Sequence, residues 1–135
     1  MAECKNIMVY VETAEGNPVK VGLEMLSPAK KLADKVTAVV IGGGVADAAK
    51  EVAKAGADQV ICVDSEDYKE FNLDAYAQVL VELVKEENPE AVFVGGTQDG
   101  KDIAPVVAAK CNTGCASDVL DIKAEDGEVI YTCPL

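Results

Sequence analysis

The sequence contains no histidine and no tryptophan, and only 4% of its 135 residues are aromatic. Without histidine the chain lacks the commonest general base, and Ser-His and Cys-His nucleophile pairs are excluded. A core without tryptophan and poor in aromatics must rest on Val, Ile, Leu and Ala, which suits a parallel sheet covered by alanine-rich helices. Positive charge is scarce as well: 12 Lys and Arg stand against 24 Asp and Glu, for a net charge of −12. Such a surface repels nucleic-acid phosphates and anionic lipid, and no basic stripe offsets it. No apolar run is long enough to span a bilayer, and no basic-then-apolar leader opens the chain. The cysteines (Cys4, Cys62, Cys111, Cys115 and Cys133) are odd in number and dispersed. That is the usage of a reducing compartment and not of a disulfide framework. These absences lead us to expect a cytoplasmic protein with no nucleic-acid partner and no membrane insertion. The length favours one domain over residues 1–135.

What is present is an alternation of buried-looking strands and apolar-faced helices. Residues 6–12 (NIMVYVE), 37–41 (TAVVI), 59–63 (QVICV) and 91–94 (AVFV) read as strands covered on both sides. A turn is expected at 13–17, then a helix with Pro18 in its first turn, split after Ser27 by Pro28. A second helix is expected over 45–55 with Gly56 closing it. A third starts from the cap residue Asn72 and is stopped by Asn88-Pro89. A fourth is expected over 101–111. Strands at 119–123 and 129–132 flank Asp126-Gly127, a hairpin signal that makes the last strand antiparallel. The alternation predicts an α/β fold, a three-layer Rossmann-like parallel sheet of about five strands with that C-terminal antiparallel strand.

Ligands of such sheets bind at the carboxyl ends of the strands, so the turns at 13–17, 42–44 and 95–100 are the candidate crevice. The weak candidates for contact with a nucleotide are Gly42, Gly43, Gly95, Gly96, Thr97, Gly100 and Lys101. Residues 95–101 have the GxxxxGK spacing of a phosphate-binding loop, but Asp102 stands where that motif needs Ser or Thr for magnesium. Asp99 and Asp102 also place negative charge where phosphates would sit, and are better read as favourable residues near a helix start. Gly42-Gly43-Gly44 lacks the GxGxxG pattern, because Asp47 replaces the third glycine. Cys111 and Cys115 are four apart with no further ligand nearby, so no metal site is expected. The carboxylates Glu66, Asp67, Glu70, Glu86, Glu87 and Glu90 read as solvated loop and helix ends. No residue is identifiable as catalytic.

Taken together, Gly95, Thr97, Gly100, Asp102, Ala104-Pro105, Ala108-Ala109, Thr113-Gly114 and Asp118 resemble the first domain of the electron transfer flavoprotein alpha subunit. The VE that closes the first strand, residues 29–34 and residues 55–60 agree with that family. Lys101 replaces the family's usual Arg, which keeps the charge but loses the planar fork. The resemblance implies an adenine nucleotide alpha hydrolase-like sheet of order 3-2-1-4-5. It implies a scaffold and subunit-interface domain of an FAD-containing electron carrier, with no catalysis on this chain. FAD would be held in a following domain and no cofactor on this one. The implied partner is a beta subunit that binds AMP or NAD, the two forming a heterodimer that serves acyl-CoA or other dehydrogenases. The alternative is a stand-alone adenine-nucleotide binder of the universal-stress type, although its GxxGxxxxxxxxxG(S/T) pattern is absent. An adenylating enzyme of the pyrophosphatase type would need SGGxDS after the first strand, where 13–17 reads TAEGN.

Overall fold

Alternation along the first strand, β1 (Cys4–Tyr10), sets the layers of the fold. Ile7 and Val9, with the following Val11, fall in one apolar cluster, while Met8 and Tyr10 fall in another. A strand with apolar residues on both faces must be covered on both. The computed structural model describes residues 4–95, 97–111, 114–116 and 129–133. In it β1, β2 (Ala33–Gly42), β3 (Gln59–Asp64), β4 (Ala91–Gly95), β5 (Gly114–Ala116) and β6 (Val129–Cys133) form a six-stranded sheet. The spatial order is β3-β2-β1-β4-β6-β5, and every pairing is parallel. The expected three-layer α/β architecture is therefore present, with the first four strands in the order 3-2-1-4.

Helices α1 (Lys20–Glu24), α2 (Leu26–Leu32) and α3 (Ala46–Lys54) contribute to the first cluster, where Leu26, Ala29, Ala48 and Val52 meet Val36, Ala38, Val40 and Phe93. Helices α4 (Leu73–Glu87) and α5 (Gln98–Lys110) cover the other face through Ala77, Leu80, Val84, Ile103 and Val107. The chain thus winds outward from β1 to β3 over one face and returns to β4 over the other. The reversal lies between β1 and β4, the position at which such sheets open a crevice. Thr37, fully buried, donates to Asn6 Oδ1 at 3.1 Å and so ties β2 to β1.

Several expectations are corrected. The C-terminal strand is parallel: residues 129–133 pair with β4 in register from Ala91↔Val129 to Gly95↔Cys133. An Asx-Gly pair makes a hairpin only if its flanking segments pair with each other; here β4 takes up the whole of β6 along one side. The strand expected at 119–123 and the turn at 126–127 lie outside the described residues. Pro18 is not helical. It pairs with Thr13 in a two-stranded ribbon, Thr13–Ala14 against Asn17–Pro18. Its turn has Glu15 at φ 53° and Gly16 at φ 82°, the left-handed pair that a tight hairpin needs. The helix break falls at Met25, three residues before Pro28, so that Pro28 lands in the first turn of α2, where N–H groups have no partner within the helix. Asn72 caps α4 by accepting from Ala75 N at 3.0 Å, as expected, and Asn88 ends that helix at φ 49° before Pro89.

Helix α5 begins at Gln98 and not at Lys101, because Thr97 Oγ1 accepts from Gly100 N at 2.9 Å and caps it. Gly100 is therefore a buried residue of the first turn, packed on the end of β4. A Cβ there would collide with the carbonyl oxygen of Gly95 and lie 3.0 Å from Glu12 Oε1. No helix among the described residues is long and apolar enough to cross a membrane.

Helix propensity alone favours Gly100→Ala by about 1 kcal/mol. The collision with a main-chain oxygen reverses the sign, and the substitution destabilises by about 3 kcal/mol. Urea unfolding checks this as a lower midpoint at unchanged slope; a midpoint equal to or above that of the parent contradicts the packing described.

Candidate functional site: an acidic crevice at the carboxyl ends of the strands

A cavity of about 400 Å³ opens beyond the carboxyl ends of β1 and β2. Its walls come from four places. The end of β1 and the ribbon supply Tyr10, Glu12, Thr13, Glu15 and Gly16. The end of β2 supplies Ile41 and the run Gly42, Gly43, Gly44 and Val45. Lys69 and Phe71 come from the segment between β3 and α4, and Tyr76 from α4 itself. Asp99 reaches in from the first turn of α5.

Of the sequence-predicted candidates, Gly42 and Gly43 line this cavity. Gly95, Thr97, Gly100 and Lys101 do not line it, and Gly96 lies outside the described residues. Gly95 ends β4 under the side chain of Val21, Gly100 is buried in α5, and Lys101 is exposed on that helix. The GxxxxGK spacing cannot act as a phosphate loop. Helix α5 already includes Gln98, Asp99 and Gly100, leaving too little free backbone between β4 and the helix to wrap a phosphate.

Thr97 nevertheless shapes the site. Its hydroxyl donates to Glu12 Oε1 while it accepts from Gly100 N, so one side chain joins the end of β1 to the start of α5. Burial pushes the Glu12 carboxyl above the usual glutamate range; the Thr97 hydrogen bond works against that, and the Asp99 charge adds to it. The Tyr10 hydroxyl is pushed up by burial and then by Glu12, Tyr76 and Asp99. Tyr76, raised by burial and by Asp99, donates to the carbonyl of Tyr68 and meets the Tyr68 and Phe71 rings edge to face at 5.8 and 5.0 Å. These contacts fix the aromatic wall.

The arrangement opposes an anion. Glu12, Glu15 and Asp99 face the cavity with Lys69 as the lining cation. Asp64 Oδ1 accepts from Gly44 N at 2.8 Å and occupies an amide of the glycine turn that could have met a phosphate. Asp47 adds negative charge in the first turn of α3. Sequence reasoning missed Tyr10, Glu12, Asp99 and Tyr76 as wall residues. The available signal was a carboxylate directly after a strand that is otherwise apolar. The carboxylates read as solvated divide: Glu87 accepts from Gln59 Nε2 at 3.2 Å and Glu90 from Lys5 N at 2.6 Å, at the other end of the sheet. Among the described residues no group of three or more His, Cys, Asp or Glu side chains is placed to hold a metal ion.

The sequence profile described as "Electron transfer flavoprotein domain" matches residues 7–135. The chain belongs to the electron transfer flavoprotein family. It is 37% identical over 139 residues to the electron transfer flavoprotein subunit alpha of Clostridium acetobutylicum, an alignment that covers 98% of this chain and 41% of that protein. Identity to the electron transfer flavoprotein subunit alpha of Syntrophomonas wolfei is 40% over 124 residues, covering 92% of this chain and 39% of the relative. With the protein FixB of Clostridium saccharobutylicum it is 37% over 140 residues, covering 99% and 42%. The chain thus spans about two fifths of the length of the electron transfer flavoprotein relatives it matches.

Glu12 gives a pH-dependent prediction. Its folded value is raised, so stability falls as pH rises from the ordinary glutamate range through that value. In Glu12→Gln the amide oxygen still accepts from Thr97 and the penalty is gone. The variant melts higher than the parent at pH 7, and the gain vanishes once both states of the parent are protonated. A pH-independent loss of stability contradicts the burial of this carboxyl.

Proposed function

We propose that this chain is the first domain of an alpha-type electron transfer flavoprotein subunit. In this reading it is a scaffold and subunit-interface domain of an FAD-containing electron carrier that works in the cytoplasm between dehydrogenases and an acceptor. FAD sits in the part of the subunit that follows this domain, and the beta subunit, with AMP or NAD of its own, is the partner in a heterodimer. No catalytic step falls to these residues.

The observation that carries the reading is the chemistry of the crevice. It stands where nucleotides bind in this class of sheet. Yet its walls hold the carboxylates of Glu12, Glu15 and Asp99, and the Gly44 amide is committed to Asp64. A fold suited to a nucleotide, with an interior hostile to phosphate, supports a structural half of a two-subunit carrier better than a nucleotide-binding protein. The names of the relatives, electron transfer flavoprotein subunit alpha, support the same assignment.

The test has two arms. A ligand present at 100 times its dissociation constant adds about 2.7 kcal/mol of stability. AMP, ATP and FAD titrated against the chain are expected to leave its melting temperature unchanged, and a clear rise with ATP overturns the reading in favour of the universal-stress type. Mixed with a purified beta subunit of this family, the chain is expected to elute as a one-to-one complex by light scattering. Elution of two separate species contradicts the interface role.

A further inference from the structure

The crevice that repels phosphate has a second unusual feature. Tyr10 is 2% exposed and lines the cavity, yet no side-chain hydrogen bond among the described residues uses its hydroxyl. Buried hydroxyls are normally paired, and no fully enclosed polar side-chain atom of the described chain lacks a partner. The Tyr10 oxygen therefore opens on the cavity, where a bound molecule can partner it. Around it the walls supply the carboxylates of Glu12, Glu15 and Asp99, and also apolar surface from Ile41 and Phe71. Among the described residues no three carboxylates are placed to hold one metal ion. Carboxylates contributed by two parts of the chain, with apolar surface between and an unused hydroxyl, match a ligand whose positive charges are separated by methylenes. The volume, about 400 Å³, is within the range of small-molecule sites.

We propose that this crevice binds a small aliphatic polyamine, of the diamine or triamine class, with its ammonium groups on Glu12 and Asp99 and an amine hydrogen bond at the Tyr10 hydroxyl. The proposal rests on the anion-excluding chemistry of the crevice and not on the heterodimer.

Putrescine and spermidine are the probes, titrated calorimetrically into the whole chain at physiological salt, where contacts with the outer acidic surface are screened. The expected result is saturable one-to-one binding. The double variant Glu12→Gln, Asp99→Asn loses at least ten-fold in affinity, and Tyr10→Phe loses several-fold. The control Asp34→Asn, Glu86→Gln removes the same charge from exposed positions at the other end of the sheet and leaves affinity unchanged. Thermal unfolding checks that each variant folds. Should the double variant fail to fold, amide shifts of Gly43 and Gly44 on spermidine addition in the parent chain decide the matter: saturable shifts support the site, and their absence overturns it. No saturable binding, or equal loss in the control variant, also overturns the proposal. AMP in the same titration separates the two readings. Failure of the amines with AMP silent sinks this proposal alone, whereas AMP binding sinks the exclusion on which both rest.

Discussion

The contact between Gly100 and the carbonyl of Gly95 is the constraint on which the rest of the structure depends. A helix can start this close to the end of a strand only where its first turn carries no side chain toward that strand. The approach places Thr97 where its hydroxyl serves two masters, the Gly100 amide and the Glu12 carboxylate. It also turns Asp99 into the crevice beside Tyr10 and Tyr76. The acidity of the crevice is thus a consequence of how β4 and α5 are joined, as well as of the overall charge.

The same junction explains how a nucleotide-type architecture comes to oppose nucleotides. In open parallel sheets the reversal of winding leaves a gap, and the glycine turns and helix starts around it ordinarily meet phosphate. Here the start of α5 is filled by its own cap and by a glutamate. The glycine turn after β2 is held by Asp64 from the neighbouring strand. The Gly44 amide in that turn and the Gly100 amide at the start of α5 are thus satisfied from within the chain. That agrees with the subunit-interface role proposed above.

Much of the fold could be read from the sequence, because apolar runs with two buried faces and helices with clear stops leave little choice of layers. Asn72 and Asn88-Pro89 bounded α4 correctly. The failures have local causes. Pro18 reads equally as a helix start or a ribbon residue, and the positive φ at Glu15 that decides for the ribbon has no signal in a glutamate. Pro28 marks a break without fixing on which side of it the helix divides. Asp126-Gly127 suggests a hairpin, but direction in a sheet is set by pairing with β4, a contact distant in sequence. The crevice was harder to read than the fold. Gly42 and Gly43, which line the cavity, were picked out by their place at a strand's carboxyl end, whereas Tyr10, Glu12 and Asp99 come together only through the β1–α5 junction, and charged residues at element ends read as solvated by default.

The central claim is that the amides of Gly44 and Gly100 are already committed and that carboxylates line the crevice, so an anion is disfavoured there. The most direct measurement follows the amide resonances of a nitrogen-15-labelled chain during titration with inorganic phosphate at constant ionic strength. The account predicts that Gly44 and Gly100, whose amides are held by Asp64 and Thr97, keep their positions throughout. Saturable movement of those amides would contradict it.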